Sequence, residues 1–460
     1  MNTLFLPEIR EMLETNDQLG LAEFCTALHP GRTAEYMEGL DAQESWSVLK
    51  STDIEHRVQI FGFLDGERQV QIVESSDPQE LSELIAKMPS DDRVDLLNKV
   101  DSQIVEAMLP LIPKEERRDI LRLSQHPEGT AGSVMTTGVA ALSESLTVEQ
   151  AIQEIGRQAK DLETIYYIYI VDEEKHLRGL VSARELMTRL SRPETTLGTF
   201  MKRDLVTVEV TDDQEIVAEK VAAFDFLAIP VVDHEQHLLG IITHDDIIDV
   251  LIEEAEEDAY RAAAVEPLQD SYLQTALLQL TWNRGIWLFI LFVAALLTAY
   301  ALKTYKVEID KVTWLVFFIP LIMSSGGNTG GQSATLVIRA LSNNDIRLSD
   351  ARQVILRELL TGLILGGALA MLGYLVGFFM LDGPASYELL VVPITLLVVV
   401  LFGAFCGAVL PLLFRRLGVD EALMSTPFVT VLIDIGGIII YMFVATRMIE
   451  ELSTVVGNAG

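Results

Sequence analysis

The sequence predicts a multidomain protein of 460 residues. We expect an all-α helical-repeat N domain, an α/β tandem pair of similar units, and an α-helical membrane domain with five transmembrane helices. Three observations support this fold class: a 24-residue repeat near the start, a second repeat with an offset of 61 residues, and long apolar segments after residue 282. The expected domains are 1–130, 131–197, 198–252, an acidic connecting helix over 245–282, and the membrane domain over 283–460.

The N domain has a period of 24 residues in its apolar positions. Such a period is typical of short helices that stack as a small solenoid. Pro89 and Pro113 keep the same spacing, each just before a predicted helix. Ser90 is then the expected N-cap, with Asp91 and Asp92 in the first turn. The repeated apolar positions are Leu40, Leu64, Met88 and Ile112, then Leu49, Val73, Leu97 and Leu121.

The middle of the chain contains two similar α/β units. Residues 170–172 (Ile-Val-Asp) match 231–233 (Val-Val-Asp), and residues 177–182 match 238–243 at the same offset. These repeats resemble the tandem cystathionine-β-synthase (CBS) domain pair, which the family uses as a regulatory module.

The CBS resemblance also implies a ligand, because such pairs often bind adenine nucleotides. The family's ribose-contacting Ser/Thr-x-x-Asp is present at residues 243–246 as Thr-His-Asp-Asp, whereas residues 182–185 read Ser-Ala-Arg-Glu. We therefore expect a nucleotide site, for ATP or a similar ligand, only in the second copy, with Thr243 and Asp246 as its contacts.

Five apolar segments follow residue 282, each close to or longer than the roughly 20 residues that a membrane-spanning helix needs. The loops after the second and fourth segments are rich in arginine, although Lys303, Lys306 and Lys311 follow the first. The positive-inside rule then places the N-terminus in the cytoplasm and the C-terminus outside the cell membrane. The predicted spans are Gly285–Leu302, Val312–Ile338, Leu359–Leu381, Leu389–Phe414 and Pro427–Thr446.

The net charge of −33 is unevenly distributed. Residues 1–282 contain 55 acidic and 23 basic residues, whereas the rest of the chain contains 12 and 11. This excess argues against nucleic acid and anionic lipid as partners of the first part. Eight acids lie between Asp245 and Asp258 without one lysine or arginine, and like charges four residues apart destabilise a helix. A solvated helix face is the ordinary explanation, but bound Mg²⁺ or Ca²⁺ would neutralise the run.

Asp434 is a lone acid deep in the last apolar segment. An ionised carboxylate there costs about 3 kcal/mol or more, so it indicates a functional site. A structural alternative is a neutral carboxyl, or one bonded to a neighbouring helix. The second segment, over residues 320–339, is too polar and glycine-rich to face lipid and must line a cavity or pack on protein.

Residues 326–338, Gly-Gly-Asn-Thr-Gly-Gly-Gln-Ser-Ala-Thr-Leu-Val-Ile, resemble the GGNTGNQSATLxI signature of the MgtE magnesium channels. The domain order resembles that family throughout the chain. The resemblance implies a homodimer with its pore at the dimer interface, where Asp434 binds Mg²⁺ and Thr430 offers its carbonyl. We expect Asn328 and Gln332 beside the ion as well.

Two residues depart from the family pattern. The second asparagine of the signature is Gly331 here, which removes one expected contact to the hydrated ion. The proline after Gly-Val-Asp is Glu421 here, at the expected cytoplasmic mouth.

The resemblance further implies that internal Mg²⁺ closes the channel by bridging acidic faces that otherwise repel one another. The implied regulatory ligands are Asp91 and Asp95 in the N domain, Glu215 and Asp225 in the second CBS copy, and Asp246, Asp249, Glu254, Glu257 and Asp258 in the connecting helix.

Other functions remain open at this point. In the main alternative, the transported ion is another divalent cation, such as Co²⁺ or Mn²⁺, or its transport is coupled to protons or sodium. A membrane sensor without transport is a second, although the polar segment argues against it. An intramembrane aspartyl protease needs two opposed carboxylates, and no predicted span contains an acid besides Asp434. We therefore expect a transport protein and not an enzyme.

Overall fold

The computed structural model describes residues 4–159, 162–268, 272–273, 275–343, 345–380, 388–418 and 426–449. The chain divides into two compact units, Met1–Ile252 and Glu253–Gly460. The first contains the helical array and the CBS pair, and the second contains the long apolar helices.

The helical array confirms the predicted stack. From α2 to α8, each helix packs against the helix two places further along the chain. Helices α4, α6, α8 and α10 begin at residues 42, 66, 90 and 114, which reproduces the 24-residue period. All the repeated apolar residues are buried except Leu121, which is 53% exposed. The helices are α1 Leu6–Glu14, α2 Gln18–Ala27, α3 Pro30–Met37, α4 Ala42–Leu49, α5 Ile54–Gly62, α6 Gly66–Ser75, α7 Pro78–Lys87, α8 Ser90–Lys99, α9 Ser102–Met108 and α10 Lys114–Leu123.

Aspartates cap these helices at intervals of 12 residues. Each accepts a hydrogen bond from a backbone N–H of the first turn, a contact worth about 1 kcal/mol. The capping residues of this series are Asp41, Asp53, Asp65, Asp77 and Asp101, and Asp17 caps α2 in the same way. Pro89 and Pro113 occupy the cap positions of α8 and α10 instead, without a side-chain cap. The prediction of Ser90 as an N-cap is therefore wrong: it is the first residue inside α8, and its hydroxyl is free to bond elsewhere.

The CBS pair consists of two three-stranded sheets of the same topology. In each, the first strand is parallel to the second, and the second and third form an antiparallel hairpin. The first copy contains β1 Ala141–Ser143, α11 Val148–Gln158, β2 Tyr167–Val171, β3 Leu177–Ser182 and α12 Ala183–Thr188. The second contains β4 Val208–Glu209, α13 Gln214–Phe224, β5 Ala228–Val232, β6 Leu238–Thr243 and α14 His244–Ala262.

The two hairpin turns bind each other across the pseudo-symmetric axis. The Leu177 N–H donates to the Gln236 carbonyl at 2.9 Å, and the Leu238 N–H donates to the Lys175 carbonyl at 3.0 Å. These reciprocal bonds join the two copies into one CBS pair.

The predicted connecting helix is shorter than expected. Helix α14 ends at Ala262 instead of continuing to residue 282. Ala264 adopts the left-handed conformation, with φ of 57°, and the Val265 N–H donates to the Tyr260 carbonyl. A left-handed residue of this kind closes a helix by satisfying its last carbonyls. Residues 269–271 and 274 lie outside the described residues.

The second unit contains four helices that are long and apolar enough to cross a membrane, among the described residues. They are α15, α18, α19 and α20, and they coincide with four of the five predicted spans. The fifth, α17, has a more polar composition, so a crossing by α17 stays a prediction. The helices are α15 Leu277–Thr304, α16 Lys306–Lys311, α17 Leu315–Ser342, α18 Ala351–Met380, α19 Val391–Arg416 and α20 Thr426–Met448.

Helix α18 begins eight residues before the predicted span, so Glu358 lies inside this helix. The expectation that no acid besides Asp434 lies within an apolar helix is therefore wrong. The arginines around Glu358 made the segment look like a loop in the sequence.

Candidate ion pathway and regulatory acid cluster

The polar helix α17 packs against α19 and α20 through glycine. A methyl group on Gly326 would lie 2.5 Å from Val399 Cγ1, and one on Gly407 would lie 2.8 Å from Ser333 Cβ. These distances are too short for any side chain larger than hydrogen. Glycine therefore lets the backbones approach closely, as in other membrane helix pairs.

Helices α17 and α20 run antiparallel along a ladder of such contacts. The Cβ of any residue replacing Gly327 would lie 2.8 Å from Thr430 Cγ2, and at Gly331 it would lie 2.6 Å from Thr426 Cγ2. At the other end, Gly437 faces the Met323 methyl. Since Asp434 lies between residues 430 and 437, this register puts it level with the segment of α17 between residues 323 and 327.

One face of α17 is polar and exposed in the single chain. Its exposed residues follow helical spacing of four, four and three residues: Ser324, Asn328, Gln332 and Thr335. The Asn328 amide donates to Ser324 Oγ at 3.2 Å, and the Thr335 and Thr426 hydroxyls are 3.4 Å apart. We call these four residues the polar stripe.

The structure brings the predicted pore residues onto this helix pair. Asn328 and Gln332 belong to the polar stripe, while Thr430 and Asp434 are half-buried on α20, one helical turn apart. Within the described residues, no group donates a hydrogen bond to the Asp434 carboxylate. Its oxygens therefore remain available to a cation.

Position 331 does not belong to the polar stripe. Gly331 is buried, and the side chain of Thr426 fills the space beside it. An asparagine there would meet Thr426 before it reached the exposed face. Glu421, the other departure from the family pattern, lies outside the described residues.

Acidic side chains of α8 and α14 form a cluster in the first unit. Asp91 is 7% exposed and interacts electrostatically with Asp246, Asp92 and Glu163. Burial, and then the carboxylates of Asp246, Asp92 and Glu163, raises the pKa of Asp91 well above its usual range. One of its oxygens, Oδ1, has no hydrogen-bond partner among the described residues.

The same causes act on the other members of this cluster. Burial, and then Asp95, Asp249 and Asp245, raises the pKa of Asp92. Burial and the Asp246 carboxylate raise the pKa of Glu163 to about 7. Together, Asp91, Asp92, Asp95, Glu163, Asp245, Asp246 and Asp249 form what we call the acid cluster.

Asp246 also accepts hydrogen bonds from Thr243 at the start of α14. Burial raises its pKa to about 6, although hydrogen bonds from Thr243 oppose the shift. The Thr243 hydroxyl donates to Asp246 Oδ2 at 2.5 Å, so the two predicted nucleotide contacts bind each other.

Sequence reasoning missed three members of this cluster. Asp92 has the position of an ordinary first-turn helix acid, and Asp245 belongs to the acidic run but not to the ligands that the family resemblance implies. Glu163, from the loop before β2, has no signal in the sequence. The predicted ligands Asp91, Asp95, Asp246 and Asp249 do come together.

In the described residues, no three acidic, histidine or cysteine side chains stand in metal-binding geometry.

The remaining predicted ligands lie elsewhere. Glu215 and Asp225 are at opposite ends of the eleven-residue helix α13, roughly 15 Å apart along its axis, so they cannot share one ion. Glu254, Glu257 and Asp258 follow further along α14, where Glu257 forms an ion pair with Arg261.

Hydroxyl groups beside this cluster fix the N domain to the first CBS copy. The Thr137 N–H donates to Ser90 Oγ at 2.8 Å, and the Thr137 hydroxyl donates to Asp119 Oδ2 at 2.5 Å. Ser90 and Thr136, which are both buried, are also joined by their hydroxyls at 3.1 Å. This hydroxyl contact holds α8, with its acids, against the CBS pair.

The fold thus defines a multi-pass membrane protein with an acidic soluble part that contains a CBS pair. Three family sequence models match the chain: the divalent cation transporter MgtE over residues 319–444, the MgtE intracellular N domain over 28–129, and the CBS domain over 131–192 and 197–253.

Curated relatives agree. The chain is 42% identical to the magnesium transporter MgtE of Thermus thermophilus over 330 residues, which are 72% of each protein. It is 34% identical to that of Enterococcus faecalis over 331 residues, 71% of each. The crystal structure of the soluble part of a magnesium transporter matches with a TM-score of 0.51 and 33% identity, over 54% of this chain and 97% of that one.

The chain belongs to the MgtE family of magnesium transporters. The resemblance seen in the sequence is thereby confirmed, and so is its consequence that the protein is a membrane transporter and not an enzyme.

The raised pKa values predict that acid stabilises the contact between the N domain and the CBS pair without metal. Protons bind more tightly when the acids are together, so the contact gains stability as pH falls. It loses stability as pH rises from the ordinary carboxyl pKa of about 4 to the raised values of about 6 and 7. Limited proteolysis of the full-length protein in chelator should therefore show slower cleavage between these domains at pH 6 than at pH 8.

Glu163→Gln should weaken this pH dependence, because it removes the carboxyl with a pKa of about 7. Glu173→Gln, at an exposed acid of the same CBS copy, is the matched control. Equal cleavage rates at pH 6 and pH 8 in the wild-type protein would contradict the prediction.

Gly331→Asn should destabilise the α17–α20 contact, because its Cβ would lie 2.6 Å from the Thr426 methyl carbon. The expected cost is about 1–3 kcal/mol, measured as a lower melting temperature in detergent. Gly331→Asn combined with Thr426→Ser removes that methyl, keeps the hydroxyl, and should restore much of the loss. A single variant as stable as wild type would show that Thr426 moves freely.

Proposed function

We propose that this chain forms a homodimeric Mg²⁺ channel of the cell membrane, which imports Mg²⁺ and is closed when internal Mg²⁺ binds its acidic soluble part. The N-terminus is then cytoplasmic and the C-terminus outside. The observation that carries the proposal is the half-buried Asp434 carboxylate beside the polar stripe of α17.

The pore proposal follows from the chemistry of these groups. Mg²⁺ prefers oxygen ligands and gives up its water reluctantly. Asp434 supplies a negative charge, and the amides of Asn328 and Gln332 with the carbonyl of Thr430 supply oxygens that can bind a hydrated ion. An acid inside a membrane helix without a hydrogen-bond donor is costly unless a cation balances it.

The homodimer is proposed because the polar stripe cannot face lipid. Its amide and hydroxyl groups need water or protein around them in the membrane. A second copy facing the first would enclose the two stripes and a water-filled path between them. The CBS pair also exposes large apolar side chains that a second copy would cover: Ile216, Phe224, Leu227, Ile248, Leu251 and Ile252.

The regulatory proposal rests on the electrostatic cost of the acid cluster. Two carboxylates 4 Å apart repel by about 4 kcal/mol at an effective dielectric constant of 20. Without a cation or protons, the N domain should therefore separate from the CBS pair. Mg²⁺ bound mainly through its own water would balance the cluster and accept the unpartnered Asp91 oxygen as a ligand.

Nucleotide binding stays a prediction. ATP or another adenine nucleotide at Thr243 would have to share Asp246 with the acid cluster. Transport of Co²⁺ or Mn²⁺, or coupling to protons or sodium, is tested by the same flux experiment that tests Mg²⁺.

Asp434→Ala should abolish Mg²⁺ flux into liposomes that contain the purified protein, because the pore loses the only acidic side chain of α20. Flux is measured with a Mg²⁺-sensitive dye, with Mn²⁺ and Co²⁺ in parallel and with pH or sodium gradients imposed. Asp434→Asn is isosteric and should also fail. Wild-type flux in either variant would place the ion site elsewhere, provided that both assemble normally.

Millimolar Mg²⁺ should protect the join between the N domain and the CBS pair from protease more than NaCl of the same ionic strength, since screening does not depend on ion identity. Neutralising Asp91, Asp95, Asp246 and Asp249 together should remove most of this Mg²⁺-specific protection. The same variant should resist closure by internal Mg²⁺ but keep its ion selectivity. Equal protection by NaCl would leave the cluster as a solvated acidic surface.

A further inference from the structure

Glu358 is the one acid of α18 and is the eighth residue of that helix. The residues of α18 that follow it are mostly apolar. Glu358 Oε2 accepts a hydrogen bond of 2.7 Å from the Ser333 hydroxyl on α17. Ser333 is 4% exposed and Glu358 is half-buried, so this bond is partly enclosed between α17 and α18. Hydrogen bonds from a buried hydroxyl to a carboxylate are among the stronger ones in proteins.

The direction of the Ser333 hydroxyl is unusual for its helix. Ser and Thr side chains in helices commonly donate to the carbonyl four residues earlier. Ser325, Thr329 and Thr335 of α17 all do so, at 2.7–2.9 Å. Ser333 instead donates to another helix.

Around Ser333, the faces of α17 toward α19 and α20 consist largely of glycine. On the α19 side, Gly407 and Gly330 approach so closely that no side chain fits between them. On the α20 side, Gly327 and Gly331 face threonine methyl groups. Elsewhere along α17, Ile322, Val337 and Leu341 are buried and also hold the helix. The Ser333–Glu358 bond adds a directional contact that opposes rotation of α17 at the level of the polar stripe.

Ser333 is next to Gln332 of the polar stripe in sequence, on the opposite side of α17 from the exposed face. A rotation of α17 that broke the Ser333–Glu358 bond would turn Gln332 and Asn328 by the same angle. We propose that Glu358 is a positioning residue, which through Ser333 holds the polar stripe in the orientation that binds the permeating ion. This inference rests on the proposed transport function.

The first test is a pair of single variants and their double. Ser333→Ala and Glu358→Ala should each raise the Mg²⁺ concentration for half-maximal flux roughly fivefold, and the double variant should raise it no further. Glu358→Gln keeps an oxygen acceptor and should restore most of the wild-type value. Ser325→Ala is the matched control, because that hydroxyl bonds within its own helix.

Two results would overturn the proposal. If Glu358→Gln is as harmful as Glu358→Ala while Ser333→Ala is harmless, the charge of Glu358 acts directly and not through Ser333. If the variants lower only the yield or melting temperature, with half-maximal concentration and Mg²⁺/Ca²⁺ ratio unchanged, the bond is merely structural.

A second measurement does not depend on transport. In protein with Cys25→Ala and Cys406→Ala, a Gln332→Cys thiol should react with a water-soluble methanethiosulfonate reagent at a rate set by the orientation of α17. Adding Ser333→Ala or Glu358→Ala should change that rate several-fold, while adding Ser325→Ala should not. An unchanged rate overturns the positioning role. Absence of wild-type Mg²⁺ flux, in contrast, would contradict only the proposed function.

Discussion

The structure depends on one constraint: a helix that carries amides and hydroxyls has to be accommodated among apolar helices. Unpaired polar groups in an apolar medium cost several kcal/mol each, so α17 cannot be surrounded by lipid. Its glycines meet this constraint on two sides by allowing α19 and α20 to approach at backbone distance. The polar groups that remain are gathered into one face. The register of α17 and α20 puts Asp434 level with one end of that face.

In the first unit, the main constraint is electrostatic repulsion among acidic side chains. In the second unit, Asp434 and Glu358 lie on different apolar helices, whereas three acids of α8, three of α14 and Glu163 lie close together in the first unit. Hydroxyl bonds between Ser90 and residues 136–137 supply attraction that does not depend on metal or pH. The acids supply repulsion that depends on both. The raised pKa values of the acids therefore make this contact sensitive to pH, and under the proposed function to Mg²⁺ as well.

The fold was largely predictable because its signals are periodic. The 24-residue and 61-residue repeats correspond to the helix stack and to the matching strands of the CBS pair, and four apolar segments correspond to α15, α18, α19 and α20. Glu358 was misjudged because nearby arginines hide the start of an apolar helix. Glu163 was missed because a residue of a loop joins a site only through tertiary packing. The environment of Gly331 was also unpredictable, since Thr426 approaches it from nearly a hundred residues further along the chain.

The interruption of aspartate capping at Pro89 and Pro113 has a consequence for repeat arrays in general. The two helices with proline caps, α8 and α10, are those that supply Ser90 and Asp119 to the CBS pair. A capping aspartate is already occupied by the first turn of its own helix. In α8 the cap is proline, and the first-turn hydroxyl of Ser90 bonds the CBS pair instead. A break in an otherwise regular series of caps can therefore draw attention, from sequence alone, to a helix end that contacts another domain.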